Sequence, residues 1–226
     1  MLTSITLAAG LIACTDQEAR QRETFIAFLQ TDVLDHGPVS VPKLDPEEAR
    51  GMGDYARHYT IITDFHDALN ERVQKPMVSI MARGSASSIT DIVQRRDELF
   101  KARKSLQGLH EAVEEELARA DATRASLKQP DDLKSVYGKA YRKTVTIPGN
   151  TFKDIFPTID ETFGMTLDLA DYIRGHGDQI RISGSFLEIS DPAIQGEINT
   201  RIHDINAKAR EMGEAQARLQ QAIQGG

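Results

Sequence analysis

The chain has 226 residues, which is enough to bury a hydrophobic core without disulfide bonds or a structural metal ion. Its single cysteine excludes an internal disulfide and any zinc site that needs several thiolates. The 27 basic residues against 34 acidic ones give a formal net charge of -7, which repels phosphate backbones and argues against a general nucleic-acid-binding protein.

The N-terminal segment carries a pattern typical of lipid attachment. An uncharged run ends in Leu11, Ile12, Ala13 and Cys14. This order resembles a bacterial lipobox, in which small residues admit the signal peptidase and the cysteine thiol receives a diacylglycerol. Each buried methylene contributes about 0.8 kcal/mol, so two or more acyl chains suffice for stable anchoring. We therefore predict that residues 1–13 are a signal peptide and that Cys14 anchors the mature chain in a membrane.

The same segment allows a second interpretation, an ordinary buried N-terminal helix in which Cys14 is inert. A membrane-spanning helix is excluded because about 20 consecutive apolar residues are needed. Thr15 rather than an aspartate follows the cysteine, and this residue matters for sorting if the lipobox is used. That neighbour predicts a periplasm-facing protein held in the outer membrane.

Apolar residues at helical spacing dominate the rest of the chain. They predict helices over 16–34, from 45 to near 84 with a kink at Pro76, over 88–129, from 130 to a break at Pro148, from 152 to near 175, and from about 190 onward. Between the first two helices, three prolines and a glycine predict an extended loop. Asp45 followed by Pro46 is a typical helix start, because the carboxylate caps free amides and proline tolerates the first turn.

One segment predicts strands, QIRISGSFLEIS at 179–190. Ile180 and Ile182 alternate with polar residues, and Leu187 and Ile189 do the same beyond Gly184, which indicates a small hairpin. Two isolated strands are marginal in water. This hairpin must therefore pack against helices.

The two longest helical patterns determine the predicted architecture. Roughly forty residues over 88–129 would form a helix of about 60 Å. In the last helix, apolar residues recur at alternating spacings of three and four, which favours antiparallel packing against another long helix. We predict a mostly α fold, an elongated antiparallel bundle with one small hairpin, in which residues 14–226 form a single domain.

Three stretches carry a family resemblance: RQRETFIAFLQ at 20–30, SLKQPDDLKSVYGKAYRKTV at 126–145 and ADYIRGHG at 170–177. Together with the lipobox they resemble the YiaF-type family of Gram-negative lipoproteins of unknown function. The resemblance implies a lipidated cysteine at Cys14 and a periplasmic location. It implies no catalytic residue, because the family has no assigned activity.

Four potential metal ligands lie close together in the sequence: His58, Asp64, His66 and Asp67. On a helix, His58 and His66 are about 12 Å apart along the axis and cannot chelate one ion directly. We therefore predict no metal site and no cofactor, and expect these histidines to make hydrogen bonds. The carboxylates of Asp168, Asp171 and 114–116 are interpreted as solvated helix faces rather than acid and base pairs.

Nucleophile, Walker A and dinucleotide-binding motifs are absent from the sequence. The leading hypothesis is therefore a non-enzymatic, lipid-tethered protein that binds another cell-envelope component, with an inhibitor, immunity or assembly role. The alternative is an enzyme or small-ligand-binding protein with a pocket where the hairpin meets the helices, near Tyr172, His176 and Asp178. A third hypothesis is structural support of the envelope.

Overall fold

The structure is a computed structural model that describes residues 9–35, 37, 39–84, 86–184 and 186–224. Helices make up most of these ranges, and the strands in them form a two-stranded antiparallel hairpin. The predicted mostly α fold with a small hairpin is confirmed.

The α-helices of the described ranges are α1 (Ala9–Phe28), α2 (Pro46–Met52), α3 (Ala56–Leu69), α4 (Lys75–Gly84), α5 (Ile89–Gln94), α6 (Arg96–Ala125), α7 (Asp131–Tyr141), α8 (Ile147–Gly175) and α9 (Pro192–Gln224). A short 3₁₀ turn, Gly53–Tyr55, separates α2 from α3. Wider π-helical turns follow α1, α3 and α7 at Leu29–Leu34, Asn70–Gln74 and Arg142–Thr146.

The predicted start at Asp45 is confirmed as a capping box. The Asp45 carboxylate accepts hydrogen bonds from the backbone amides of Glu47 and Glu48, at 2.7 and 2.8 Å. In return, the Glu48 carboxylate accepts one from the Asp45 amide at 2.9 Å. A cap of this kind stabilises a helix by about 1 kcal/mol.

The predicted continuous helix over 88–129 is wrong. The chain turns at Arg95, between α5 and α6, and α6 ends at Ala125. Its 30 residues correspond to about 45 Å. The Arg95 guanidinium contacts Asp91 and Glu98 at helical spacing and also donates to the Arg83 carbonyl at 2.6 Å. That last contact spans 12 positions, so helical periodicity does not record it.

The predicted break at Pro148 is also wrong, because α7, its π-helical turn and α8 follow one another without interruption. Proline has no N–H, so the Thr144 carbonyl cannot receive the usual α-helical hydrogen bond from residue 148. His66 replaces that donor: its Nε2 atom lies 2.5 Å from the Thr144 carbonyl oxygen. A side chain 78 positions away along the chain therefore lets the helix continue.

The chain divides into two compact units, each made of separate segments. Unit 1 comprises Met1–Asp67, Leu117–Pro148 and Ile223–Gly226, and unit 2 comprises Ala68–Glu116 and Gly149–Ala222. The elongated shape and the single domain over 14–226 stay predictions.

Unit 1 has an aromatic core in which buried tyrosine hydroxyls find acceptors. Tyr59 donates to the Pro42 carbonyl at 2.9 Å and Tyr137 to the His58 carbonyl at 2.8 Å. Tyr141 donates to the Asp121 carboxylate at 2.8 Å. These bonds let large side chains be buried without an unsatisfied hydroxyl.

In unit 2, α6 and α8 run antiparallel and are joined by ion pairs. Arg96 pairs with Asp171 and Arg103 with Asp160, so positions that ascend along α6 meet positions that descend along α8. Beneath these pairs the two helices bury apolar residues, including Leu99, Leu106, Val113, Phe156, Ile159 and Phe163. The last helix, α9, also runs antiparallel to α8, because Arg201 stacks on Tyr172 and Lys208 pairs with Glu161. The predicted antiparallel packing of the last helix against another long helix therefore occurs within unit 2.

The hairpin belongs to unit 2 and consists of β1 (Ile180–Ser183) and β2 (Phe186–Ile189). Ile180 lies opposite Ile189, and Gly184 takes the positive φ of 58° that the tight turn requires. One face of the hairpin packs on a cluster from α5, α8 and α9 that includes Val93, Leu169, Ile173, Ile194 and Ile198. The predicted support of the hairpin by helices is confirmed.

Candidate functional site

The lipobox residues belong to the first helix, but their side chains lie outside the described part of the structure. Leu11, Ile12, Ala13 and Cys14 are within α1, and residues 1–8 of the predicted signal peptide lie outside the described residues. None of the helices in the described ranges combines the length and the apolarity that crossing a bilayer requires. Lipidation of Cys14 stays a prediction.

The second candidate site lies where the hairpin follows α8. The Nδ1 atom of His176 donates a hydrogen bond to the Tyr172 carbonyl oxygen at 2.8 Å. That bond satisfies one of the last carbonyls of α8, which have no amide partners within the helix. The two rings also contact each other, with centroids 4.3 Å apart. His176 therefore stabilises the C-terminal end of α8.

The Tyr172 ring also meets a cation from α9. The guanidinium carbon of Arg201 lies 4.7 Å from its centroid, and Arg201 also pairs with Glu197 at 2.8 Å. Stacking of this kind stabilises by about 0.5–1 kcal/mol at exposed sites. The sequence did not single out Arg201, although its position three residues after the buried Ile198 places it beside the apolar seam of α9.

Asp178 lies apart from this pair of rings, on a concave surface of about 570 Å³ along the hairpin. The surface is lined by residues 177–182 and 188–190, which include neither Tyr172 nor His176. The structure therefore brings two of the three predicted ligand-binding residues together and places the third on a separate surface. A small-ligand site formed by all three stays a prediction.

His58 and His66, the two histidines among the potential metal ligands, make hydrogen bonds to different partners in unit 1. His58 accepts a hydrogen bond from the Gln129 side-chain amide at 3.1 Å, and His66 donates to the Thr144 carbonyl. Burial lowers the pKa of both imidazoles below the ordinary value of 6.5, so both rings are neutral at pH 7. Within the described residues, His, Cys, Asp and Glu side chains form no group of three or more that could hold a metal ion.

The interpretation of the carboxylates as solvated is wrong for Glu116. Its side chain is only 2% exposed and pairs with Arg72, whose guanidinium also contacts Glu115 at 2.9 Å. A buried carboxylate needs such a partner because desolvation of the lone charge is costly. Asp171 is half exposed and pairs with Arg96.

The tip of the hairpin exposes apolar side chains. Phe186 is 77% exposed and Ile182 is 40% exposed. Because side chains alternate between the two faces of a strand, Ile182 lies on the face of Ile180 and Phe186 lies on the opposite face. Isolated exposed apolar residues are ordinary, and because these two lie on opposite faces they do not form one apolar patch.

Comparison with known proteins then assigns the chain to a family. Residues 2–220 match the family described as "Protein of unknown function (DUF3053)". This chain belongs to the DUF3053 family. The match includes both the lipobox segment and the hairpin.

Among the similar curated proteins is "Uncharacterized protein YiaF" of Escherichia coli strain K12, which is 25% identical over 215 residues. The aligned region covers 95% of this chain and 91% of that relative. "Uncharacterized protein YiaF" of Shigella flexneri matches with the same identity and coverage. No solved structure matches the chain. The resemblance to the YiaF-type family is confirmed, and neither the family nor these relatives supply an assigned activity or a catalytic residue.

Proposed function

We propose that this DUF3053 protein is a lipid-anchored envelope protein that binds another component of the cell envelope. The observation that carries the proposal is the lipobox Leu11, Ile12, Ala13 and Cys14, in which the only cysteine of the chain ends an uncharged run. Diacylglycerol on the Cys14 thiol and an acyl group on its amine give enough buried methylenes for stable anchoring. The anchor then holds residues 14–226 at a bilayer surface.

Several observations support this proposal. The lipobox segment lies within the residues that match the family, 2–220, so the proposal concerns a part of the chain that the family match includes. The relatives named above come from Escherichia coli and Shigella flexneri, Gram-negative bacteria in which lipoproteins are sorted between two membranes. Thr15 favours the periplasmic leaflet of the outer membrane as the destination. The strongly exposed Phe186 at the hairpin tip supplies an apolar contact for a partner.

Acylation of Cys14 is the first test. The full chain and a Cys14→Ser variant are expressed in a Gram-negative host, and the N-terminal peptide of each is analysed by mass spectrometry. We expect a diacylglyceryl or triacyl mass on Cys14 in the parent and none in the variant, which then leaves the membrane fraction. An unmodified Cys14 behind an intact Met1 would disprove the anchor.

The membrane of residence needs a separate measurement. A Thr15→Asp variant keeps the thiol and changes only the residue after it. We expect the parent in the outer-membrane fraction of a density gradient and the variant in the inner-membrane fraction. Equal distribution of both proteins would contradict the proposed sorting without affecting the lipidation result.

A further inference from the structure

The two strands of the hairpin differ in what lies beside them. β2 lies next to α5, whereas the described neighbour of β1 in the sheet is β2. β1 is therefore an edge strand whose second side is not covered by a described element of the sheet. An uncovered edge presents backbone groups to any extended segment that approaches it.

The alternation of hydrogen-bonded and non-hydrogen-bonded pairs along the hairpin shows which backbone groups of β1 face outward. The Ser190 amide donates to the Gln179 carbonyl at 3.4 Å, so this pair bonds across the ladder. In an antiparallel pair such positions alternate, so the backbone groups of Ile180 and Ile182 are directed away from β2. The Ile180 amide donates to the His176 carbonyl at 3.0 Å. Among the described residues, the other outward backbone groups of these two positions are the carbonyl of Ile180 and the amide and carbonyl of Ile182.

The concave surface of about 570 Å³ follows this strand. It takes six consecutive residues from β1 and the segment before it, 177–182, and only three residues, 188–190, from the other side of the hairpin. This concavity is therefore lined by both strands, and it includes Ile180 and Ile182, the two positions whose backbone groups face outward.

The charges and apolar groups of β1 define the chemistry of the incoming segment. Arg181 is exposed and lies on the face opposite Ile182, with Glu188 as its cross-strand neighbour in β2. A residue placed opposite Arg181 on the free side is favoured when it is acidic, because opposite charges on paired strands attract. The residues on either side of it share the face of Ile180 and Ile182 and are favoured when apolar.

We propose that the free edge of β1 binds an extended segment of a partner protein in which one acidic residue lies between two apolar residues. The segment adds a third strand to the hairpin through main-chain hydrogen bonds to Ile180 and Ile182, and Arg181 selects its charge. The proposal deepens the partner-binding role proposed above and rests on it for its biological setting. Binding at the edge is nevertheless measurable without lipidation.

The test uses the full chain carrying Cys14→Ser, labelled with ¹⁵N, and the acetylated and amidated peptide Thr-Val-Glu-Val-Thr as the probe. We expect saturable shifts of the Ile182 and Arg181 amide signals. A peptide with lysine in place of the glutamate should bind about two- to fivefold more weakly, the range expected for one cross-strand charge pair. The Arg181→Glu variant should reverse this preference.

Ile182→Pro provides the variant that acts on the backbone. Proline removes the outward N–H, and an edge strand tolerates it at a position whose amide does not bond within the ladder. Peptide binding should be lost while the Leu187 amide signal stays in its folded position. If the proline variant does not fold, the charge reversal at Arg181 alone decides the outcome.

Phe186→Ala is the matched control on β2. It removes a larger exposed side chain from the same tip but leaves the edge of β1 unchanged, so peptide binding should be retained. Binding that is lost in Phe186→Ala and kept in Ile182→Pro would overturn the proposal in favour of apolar docking at the tip. Absence of shifts at Ile182, or dimerisation of the full chain that Ile182→Pro abolishes, would also overturn it. Because all these proteins lack the acyl group, failure here is distinct from failure of the lipid anchor.

Discussion

Arg103 and Asp160 form a two-point ion pair that joins α6 to α8. The Nε and Nη2 atoms of Arg103 each lie 2.8 Å from one carboxylate oxygen of Asp160, and about a third of each side chain is exposed. Such parallel hydrogen bonds specify orientation as well as proximity, because both planar groups must lie nearly in one plane for the two bonds to form. The pair therefore helps to set the register of the two helices within unit 2.

We expect Arg103→Met to lower the free energy of unfolding by about 1–2 kcal/mol, between the values for exposed and buried ion pairs. Methionine keeps most of the apolar stem and removes the charge. Arg57→Met is the control, because Arg57 is 77% exposed and pairs with Asp54, which is also exposed, so we expect a change within about 0.5 kcal/mol. Urea unfolding monitored by circular dichroism measures both. An equal loss in the two variants would contradict the role of the Arg103 pair.

Acid should weaken the α6 and α8 contact. The hydrogen bonds from Arg103 and Arg96 lower the pKa of Asp160 and Asp171 below the ordinary value of 3.8. A carboxyl whose pKa is depressed in the folded protein stabilises it above the unfolded pKa, and this contribution is lost as the pH falls through the folded pKa. We measure the urea midpoint of unfolding at several values between pH 5 and pH 2. The midpoint should decrease once the pH is lowered below about 4. The decline should be smaller in Arg103→Met, and an unchanged pH dependence would disprove the assignment.

Loss of the His66 side chain should destabilise unit 1. His66→Ala leaves the buried Thr144 carbonyl without its donor, which costs about 1–3 kcal/mol. Adding Pro148→Ala restores a backbone N–H at the usual helical position, so the double variant should recover part of the lost stability. His203→Ala is the control, because His203 is 76% exposed. A double variant no more stable than His66→Ala alone would contradict the proposed replacement of the missing amide.

His66 also predicts a pH dependence near neutrality. Burial lowers its pKa, although the hydrogen bond to Thr144 acts in the opposite direction. The unfolded chain therefore takes up a proton before the folded chain does, and the stability contributed by neutral His66 decreases as the pH falls below 6.5 toward the folded pKa. Unfolding midpoints at pH 7.5 and 5.5 should differ more in the parent than in His66→Gln, and an NMR titration gives the folded pKa directly.

Alanine substitutions at Gly84 and Gly108 should change the stability of the protein in opposite directions. A Cβ on Gly84 would lie 2.2 Å from the Phe163 ring, so Gly84→Ala forces the core of unit 2 to shift and should cost about 1–3 kcal/mol. A Cβ on Gly108 would meet nothing within 4 Å, and this glycine lies inside α6. Gly108→Ala should therefore stabilise by about 0.5–1 kcal/mol. Thermal unfolding of both variants checks the pair, and a stabilising Gly84→Ala would contradict the close packing against Phe163.

Part of the candidate site followed from local sequence and part did not. The alternation around Gly184 predicted the hairpin, and the turn residues near its base drew attention to His176 and Tyr172. Arg201 was missed because the residue that stacks on Tyr172 comes from α9, beyond the hairpin. Glu116 was misassigned because the sequence does not distinguish three consecutive glutamates, although helix geometry buries Glu116 and leaves Glu114 and Glu115 exposed.

The sequence by itself determined the mostly α fold, the cap at Asp45 and the hairpin, and its motifs identified the family. These features depend on residues within a few positions of one another, where helix and strand periodicity and amide capping act. Tertiary structure decided that Pro148 does not end a helix and that, within the described ranges, β1 has a strand on one side only. Both outcomes depend on whether a group from a distant part of the chain lies close enough to form a hydrogen bond with the backbone there. Local periodicity does not indicate which distant groups come close.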